Sequence, residues 1–95
     1  MDKSAKQYVN IAARYYNTGY YKDALAACEY AIQLDPTCAR AYHGKGLVLI
    51  QRKRYEEALE AFQKASQLAS ENAKVHADMA ELLYIRRDYE NSRLS

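Results

Sequence analysis

Residues 21–34 read YKDALAACEYAIQL, and residues 55–68 read YEEALEAFQKASQL. The two stretches are offset by 34 residues, and Tyr21, Ala24, Leu25, Ala27, Ala31, Gln33 and Leu34 meet Tyr55, Ala58, Leu59, Ala61, Ala65, Gln67 and Leu68. The same shift carries Ala5 onto Ala39 and Ala73, Tyr8 onto Tyr42 and His76, and Tyr55 onto Tyr89. A fixed period of this size signals a solenoid, in which each unit buries its apolar face against its neighbours. The predicted architecture is all-α. It has one repeat at about 5–38, a second at about 39–72 and a partial third at about 73–95, forming one domain over 1–95.

Helical periodicity fills each unit. Ser4-Ala5-Lys6-Gln7 reads as a capping box, and Tyr8, Ile11, Ala12, Tyr15 and Tyr16 follow at helical spacing. Gly19 can close that helix in the left-handed conformation. A second helix is predicted over about 21–34, with Leu25, Cys28, Ala31 and Ile32 on one face and Asp35-Pro36 as its stop. The second unit predicts helices over about 40–51 and 55–68. Lys53 stands where Gly19 stood, so its turn is expected to be less well defined or differently shaped. Ser70-Glu71-Asn72 can cap a fifth helix over about 73–86, and Asp88 a sixth of about two turns.

Composition excludes several functions. The chain has 95 residues, 49% of them hydrophobic, and a net charge of +2, which fits one folded unit and supplies no bulk basic field for nucleic acid. Arg52-Lys53-Arg54 and Arg86-Arg87 are expected at helix C-termini, where cations complement the dipole. No apolar run approaches a membrane span and Met1-Asp2-Lys3 does not open a secretory signal, so the expectation is a cytoplasmic protein or a fragment of a larger intracellular one. Cys28 and Cys38 are expected as free thiols. No nucleophile, P-loop or metal-binding motif is present, His43 and His76 fall in different repeats, and no cofactor or catalytic activity is expected.

The repeating positions resemble the tetratricopeptide family. The positions of its pattern are held by Tyr8, Ile11, Ala12, Tyr15, Ala24, Cys28, Ala31 and Pro36. The same positions are held next by Tyr42, Lys45, Gly46, Leu49, Ala58, Phe62 and Ala65, and then by His76, Met79, Ala80, Leu83 and Ser92. Departures are Cys28 and His76 for an aromatic, Lys45 for an apolar residue and Ser70 for Pro. Ala12, Gly46 and Ala80 sit where a repeat's two helices meet, opposite Ala24, Ala58 and Ser92. Tyr8, Tyr15, Tyr42 and Phe62 are expected to fill the wedges around them.

The resemblance implies a right-handed solenoid whose first helices line a concave groove. Helical projection then places inward Lys6, Val9, Asn10, Ala13, Tyr16 and Asn17; Arg40, His43, Gly44, Leu47, Ile50 and Gln51; and Lys74, Ala77, Asp78, Glu81, Tyr84 and Ile85. Two ladders result: Lys6, Arg40 and Lys74 are cations, and Tyr16, Ile50 and Tyr84 are apolar. They suggest a protein or peptide partner carrying acidic and apolar residues. Some members of the family clamp the acidic C-terminal tails of chaperones with five polar side chains. The matching positions here are Val9, Ala13, Gly44, Lys74 and Asp78, of which only Lys74 fits, so such tails are not the expected partner.

The function implied is a non-catalytic protein–protein interaction module. The alternative is a self-assembly unit whose solenoid ends stack, and an RNA-binding helical repeat is a third reading. Met79, Ala80, Leu82, Leu83, Tyr84 and Ile85 would form an uncovered apolar strip, from which either self-association through the C-terminal end or membership of a longer array is expected.

Overall fold

The computed structural model describes residues 4–69 and 73–94. It contains five α-helices, α1 (Ala5–Asn17), α2 (Tyr21–Leu34), α3 (Ala39–Gln51), α4 (Tyr55–Leu68) and α5 (Ala73–Leu94), and no strand among those residues. α1 packs on α2, α3 on α4, and each pair on the next element, with α1 also touching α3. The stack measures 54 × 29 × 18 Å. This is the elongated helical-repeat form that the 34-residue period requires.

Alanine makes the close packing possible. Ala24, Ala31, Ala41, Ala58 and Ala65 are fully buried between helices, where any larger side chain would push backbones apart. The large buried groups concentrate between the second pair and α5: Leu49, Phe62 and Leu82 surround Ala58, and Leu25, Leu47, Ile50, Leu59 and Met79 pack around them. The first pair is built differently. Ala12 meets Ala27 and Cys28, and Tyr8 stacks on Tyr30 with ring centroids 4.5 Å apart. Tyr15 does not fill a wedge as expected. It is exposed, and its ring meets Tyr20 edge-on. Cys28, in the place of Phe62, is too small to draw a bulky side chain inward.

Three local expectations are corrected. Ser4 is the N-cap of α1, but its side chain makes no capping bond, so the predicted capping box is not formed. The Lys53 turn is the same turn as at Gly19. Gly19 (φ 87°) follows α1, with its amide on Tyr16 O and the Tyr20 amide on Tyr15 O at 2.8 Å. Lys53 (φ 61°) follows α3, with its amide on Ile50 O and the Arg54 amide on Leu49 O at 2.9 Å. Both are Schellman closures. The two bonds and the packing of α4 hold Lys53 left-handed against its preference. Lys53→Gly is therefore expected to raise stability by about 0.5–1 kcal/mol, read as a higher urea midpoint with an unchanged slope.

The third correction concerns α5, which runs unbroken for 22 residues with no turn at Arg86-Arg87 and no separate sixth helix. Arg87 occupies the position of Gly19 and Lys53, and a turn there would impose the same strain. Seven or eight residues of return helix would be marginal alone, whereas continuing the helix adds a hydrogen bond per residue. Arg86 instead pairs with Glu56 across α4 and with Glu90 one turn on, and Tyr89 meets Tyr55 at 5.3 Å. The Arg pair is thus mid-helix, not at a C-terminus. The expected Ser70-Glu71-Asn72 cap lies outside the described residues.

Candidate functional site: the face of α1, α3 and α5

The turn Asp35-Pro36-Thr37-Cys38 sets α3 beside α1. Asp35 accepts from the Thr37 hydroxyl at 2.6 Å and from the Thr37 amide at 3.0 Å. These bonds hold its carboxyl below the usual carboxylate range. The resulting α1–α3–α5 face carries a cavity of about 330 Å³. Its apolar lining comes from Val9, Ala12, Ala13, Cys28, Gly44, Leu47 and Val48, and its polar lining from Tyr16, Asn17, Arg40, His43 and Lys74. A second cavity of about 140 Å³ continues along the same helices, between Tyr16, Leu47, Ile50, Gln51, Asp78, Glu81 and Ile85.

Most of the residues placed inward from sequence meet here. Val9, Ala13, Tyr16, Asn17, Arg40, His43, Leu47 and Lys74 line the larger cavity, and Ile50, Gln51, Asp78 and Glu81 line the smaller. Lys6, Asn10 and Ala77 are exposed and line neither. Tyr84, at 76% exposure, lines neither as well; Ile85 takes its place. The cation ladder therefore brings two of its three members to the cavity, and so does the apolar ladder.

Two internal bonds escaped the sequence. His43 Nε2 and Asp78 Oδ2 lie 2.6 Å apart, tying α3 to α5, and the His43 ring is 5.7 Å from that of Phe62. The Gln51 amide donates to the Tyr16 hydroxyl at 3.2 Å, tying the end of α3 to the end of α1. Both pairs are 35 residues apart, one repeat plus one position, so the period itself places them on adjacent helices. Asp78, which stands at one of the clamp positions, is engaged by the neighbouring repeat.

Electrostatics single out one edge of this face. The first turns of α1, α3 and α5 hold no acidic residue, whereas α2 and α4 open with Asp23 and with Glu56 and Glu57. Lys6, Arg40 and Lys74 occupy those same first turns. A cation at a helix N-terminus opposes the dipole, costing about 0.3–1 kcal/mol each. α2 also carries a cation there, Lys22, but sets Asp23 beside it, whereas the first turns of α1, α3 and α5 hold a cation and no acid.

Cys28, the thiol in the cavity lining, is buried, and burial pushes it up to about 12, only partly offset by Lys45. No group of His, Cys, Asp or Glu that could hold a metal occurs among the described residues. Cys38, half-buried, is expected to react with a thiol reagent at neutral pH while Cys28 resists until the chain unfolds. The shift has a stability consequence of definite sign. Folding keeps Cys28 protonated where the unfolded thiol ionises, so this contribution is lost as pH rises from about 9 toward about 12.

The sequence profile of the family described as tetratricopeptide repeat matches residues 11–84. The Hsp70-Hsp90 organizing protein of Triticum aestivum is 41% identical over 61 residues, covering 64% of this chain and 10% of its own length. Among solved structures, the TPR2B-domain:pHsp70 complex of yeast Sti1 superposes with TM-score 0.78 at 30% identity, over 90% of this chain and 70% of that one. The crystal structure of YrrB, described as having an unusual peptide-binding site, superposes at TM-score 0.81 and 30% identity, over 96% of this chain and 45% of that one. The chain spans about a tenth of the length of the curated relatives it matches first. No helix of the described residues is long and apolar enough to cross a membrane.

Proposed function

The chain belongs to the tetratricopeptide repeat family, and from that premise we propose that it is a non-catalytic interaction module whose α1–α3–α5 face holds a peptide or helical segment of a partner protein. The observation that carries this reading is the pair of neighbouring cavities along three helices of successive repeats, which share Tyr16 and Leu47, the larger with mostly apolar lining and Arg40 and Lys74 in its wall. Apolar lining with a few placed polar groups is what ligand sites require. The related Sti1 domain was solved as a complex with pHsp70, which supports peptide binding as the mode. Two free thiols, Cys28 and Cys38, support an intracellular setting.

The partner differs from a chaperone tail held by a carboxylate clamp. Val9, Ala13 and Gly44 contribute no side-chain donor, and Asp78 is committed to His43. The test uses peptides selected from a random display library on the wild-type chain. Reversal of Lys6, Arg40 and Lys74 to Glu is expected to weaken the selected peptides and flatten their salt dependence. Unchanged affinity and salt dependence would remove the electrostatic part of this reading. A chaperone tail ending in consecutive acidic residues is expected not to compete.

A second reading, self-assembly through the stack ends, rests on one comparison of equivalent positions. Leu49 is fully buried beneath α4, whereas Leu83, one period later, is 45% exposed. Ala80 and Tyr84 are exposed beside it, and Tyr15, Tyr20 and Tyr30 are exposed on the first helix pair. Sedimentation at tens of micromolar is expected to show association that Leu83→Lys abolishes. A monomer at that concentration would sink this second reading and leave the first intact.

A further inference from the structure

The geometry points to a specific ligand pattern for the α1–α3–α5 cavity: an extended internal peptide segment with an aliphatic side chain two positions from an Asp or Glu. This inference rests on the groove reading above and deepens it. The floor decides the first half. Val9, Ala13, Gly44 and Leu47 line the cavity with carbon and no side-chain donor, and the fully buried Cys28 and Val48 line it as well. A carboxylate placed there would lose its water without gaining a partner, so the centre selects an apolar group. Gly44 keeps this floor low. A Cβ added there would lie 3.3 Å from Cys28 Sγ, tighter than ordinary contact, so the position favours having no side chain.

The wall decides the second half. Arg40 and Lys74 line the same cavity, and no described hydrogen bond or ion pair engages Arg40. Arg40 lies one helical turn before Gly44 on α3, about 6 Å along the axis. In an extended peptide, residues i and i+2 point to the same side, about 7 Å apart. A carboxylate at i and an aliphatic group at i+2 therefore match the step from Arg40 to the apolar centre. Adjacent residues would point to opposite sides. At the other end Asn17 lines the cavity and offers an amide to the ligand backbone. None of these contacts needs a free chain terminus, so an internal segment satisfies them.

The experiment uses an acetylated, amidated nonapeptide of Gly and Ser carrying Glu at its fourth position and Leu at its sixth. Affinity is read by calorimetry and the contact surface by amide shifts of the labelled 95-residue chain. The parent peptide is expected to bind with Kd below about 1 mM. Leu→Ser, Glu→Gln and a version with Glu and Leu adjacent are each expected to weaken it about tenfold or more. On the protein side, Arg40→Glu is expected to remove the advantage of Glu over Gln, and Ala13→Phe to remove that of Leu over Ser. Both residues are exposed, so the fold tolerates the changes. Indifference to spacing, or equal binding by the Gln and Ser peptides, overturns the inference, as does no binding by the parent. Library-selected peptides that shift Val9, Arg40 and Leu47 but lack the pattern would overturn this inference alone. Selected peptides that shift only α2 and α4 would overturn the groove reading itself.

Discussion

Gly46→Ala should destabilise the chain by about 3 kcal/mol, at the upper end for an inserted carbon. The added Cβ would fall 2.6 Å from Cδ1 and 3.0 Å from Cζ of the Phe62 ring, and closer still to Cε1. Phe62 is fully buried and held by Leu49, Ala58 and Leu82, so the ring has nowhere to move. Against a total stability of about 5–15 kcal/mol for a small domain, such a loss is severe. The other repeat shows the compensation. There the pair at equivalent positions is Ala12 with Cys28, a larger residue on one helix and a smaller one on the other. The double variant Gly46→Ala with Phe62→Cys should therefore be less destabilised than the sum of its singles, by about 1–2 kcal/mol. Urea denaturation of the four proteins measures that coupling. Strict additivity would show that the ring and the glycine do not constrain one another.

Phe62→Ala is expected to cost about 3–5 kcal/mol. Its ring is the largest fully buried side chain, so truncation leaves a cavity bounded by α3, α4 and α5. A functional effect follows from its neighbour. His43 lies against this ring and holds Asp78 of α5, so the core supports the bond that closes the groove between the second and third repeats. Amide exchange in α5 should quicken more in Phe62→Ala than exchange in α1. Phe62→Leu, which keeps most of the volume, should restore the pattern. A loss below about 1 kcal/mol, or uniform loosening of all helices, would contradict this account of the core.

The period was the most legible feature. It placed α2 and α4 to the residue and α3 to within one, because each repeat buries the same small-residue face. It failed where the same position received a different residue. Lys53 was expected to deform its turn because a side chain disfavours positive φ, yet two closure bonds and the α3–α4 packing outweighed that preference. Arg87 had no such packing to meet, and the helix continued. Ser4 matched a capping pattern in composition, but its side chain makes no such bond, an outcome local sequence does not decide.

The candidate site was legible to the level of the helix face and no finer. Projection at fixed spacing found the face because the repeat orients every inner helix alike. It ranked Lys6, Asn10 and Tyr84 with Arg40 and Leu47, although only the latter two line the cavity. Its floor residues Ala12, Cys28 and Val48 come from the border between groove and core, which a wheel assigns to the core. The His43–Asp78 bond joins residues one repeat plus one position apart. That spacing is the signal by which such cross-repeat pairs are found.

The central claim is that the α1–α3–α5 face, not the outer helices or the ends of the stack, receives the partner. The direct measurement is the amide shift map of the wild-type chain titrated with a peptide selected from a random display library. The account predicts that the largest shifts fall on Val9, Ala13, Tyr16, Arg40, Gly44, Leu47 and Lys74. Shifts confined to α2 and α4, with those seven residues unmoved at saturation, would contradict it.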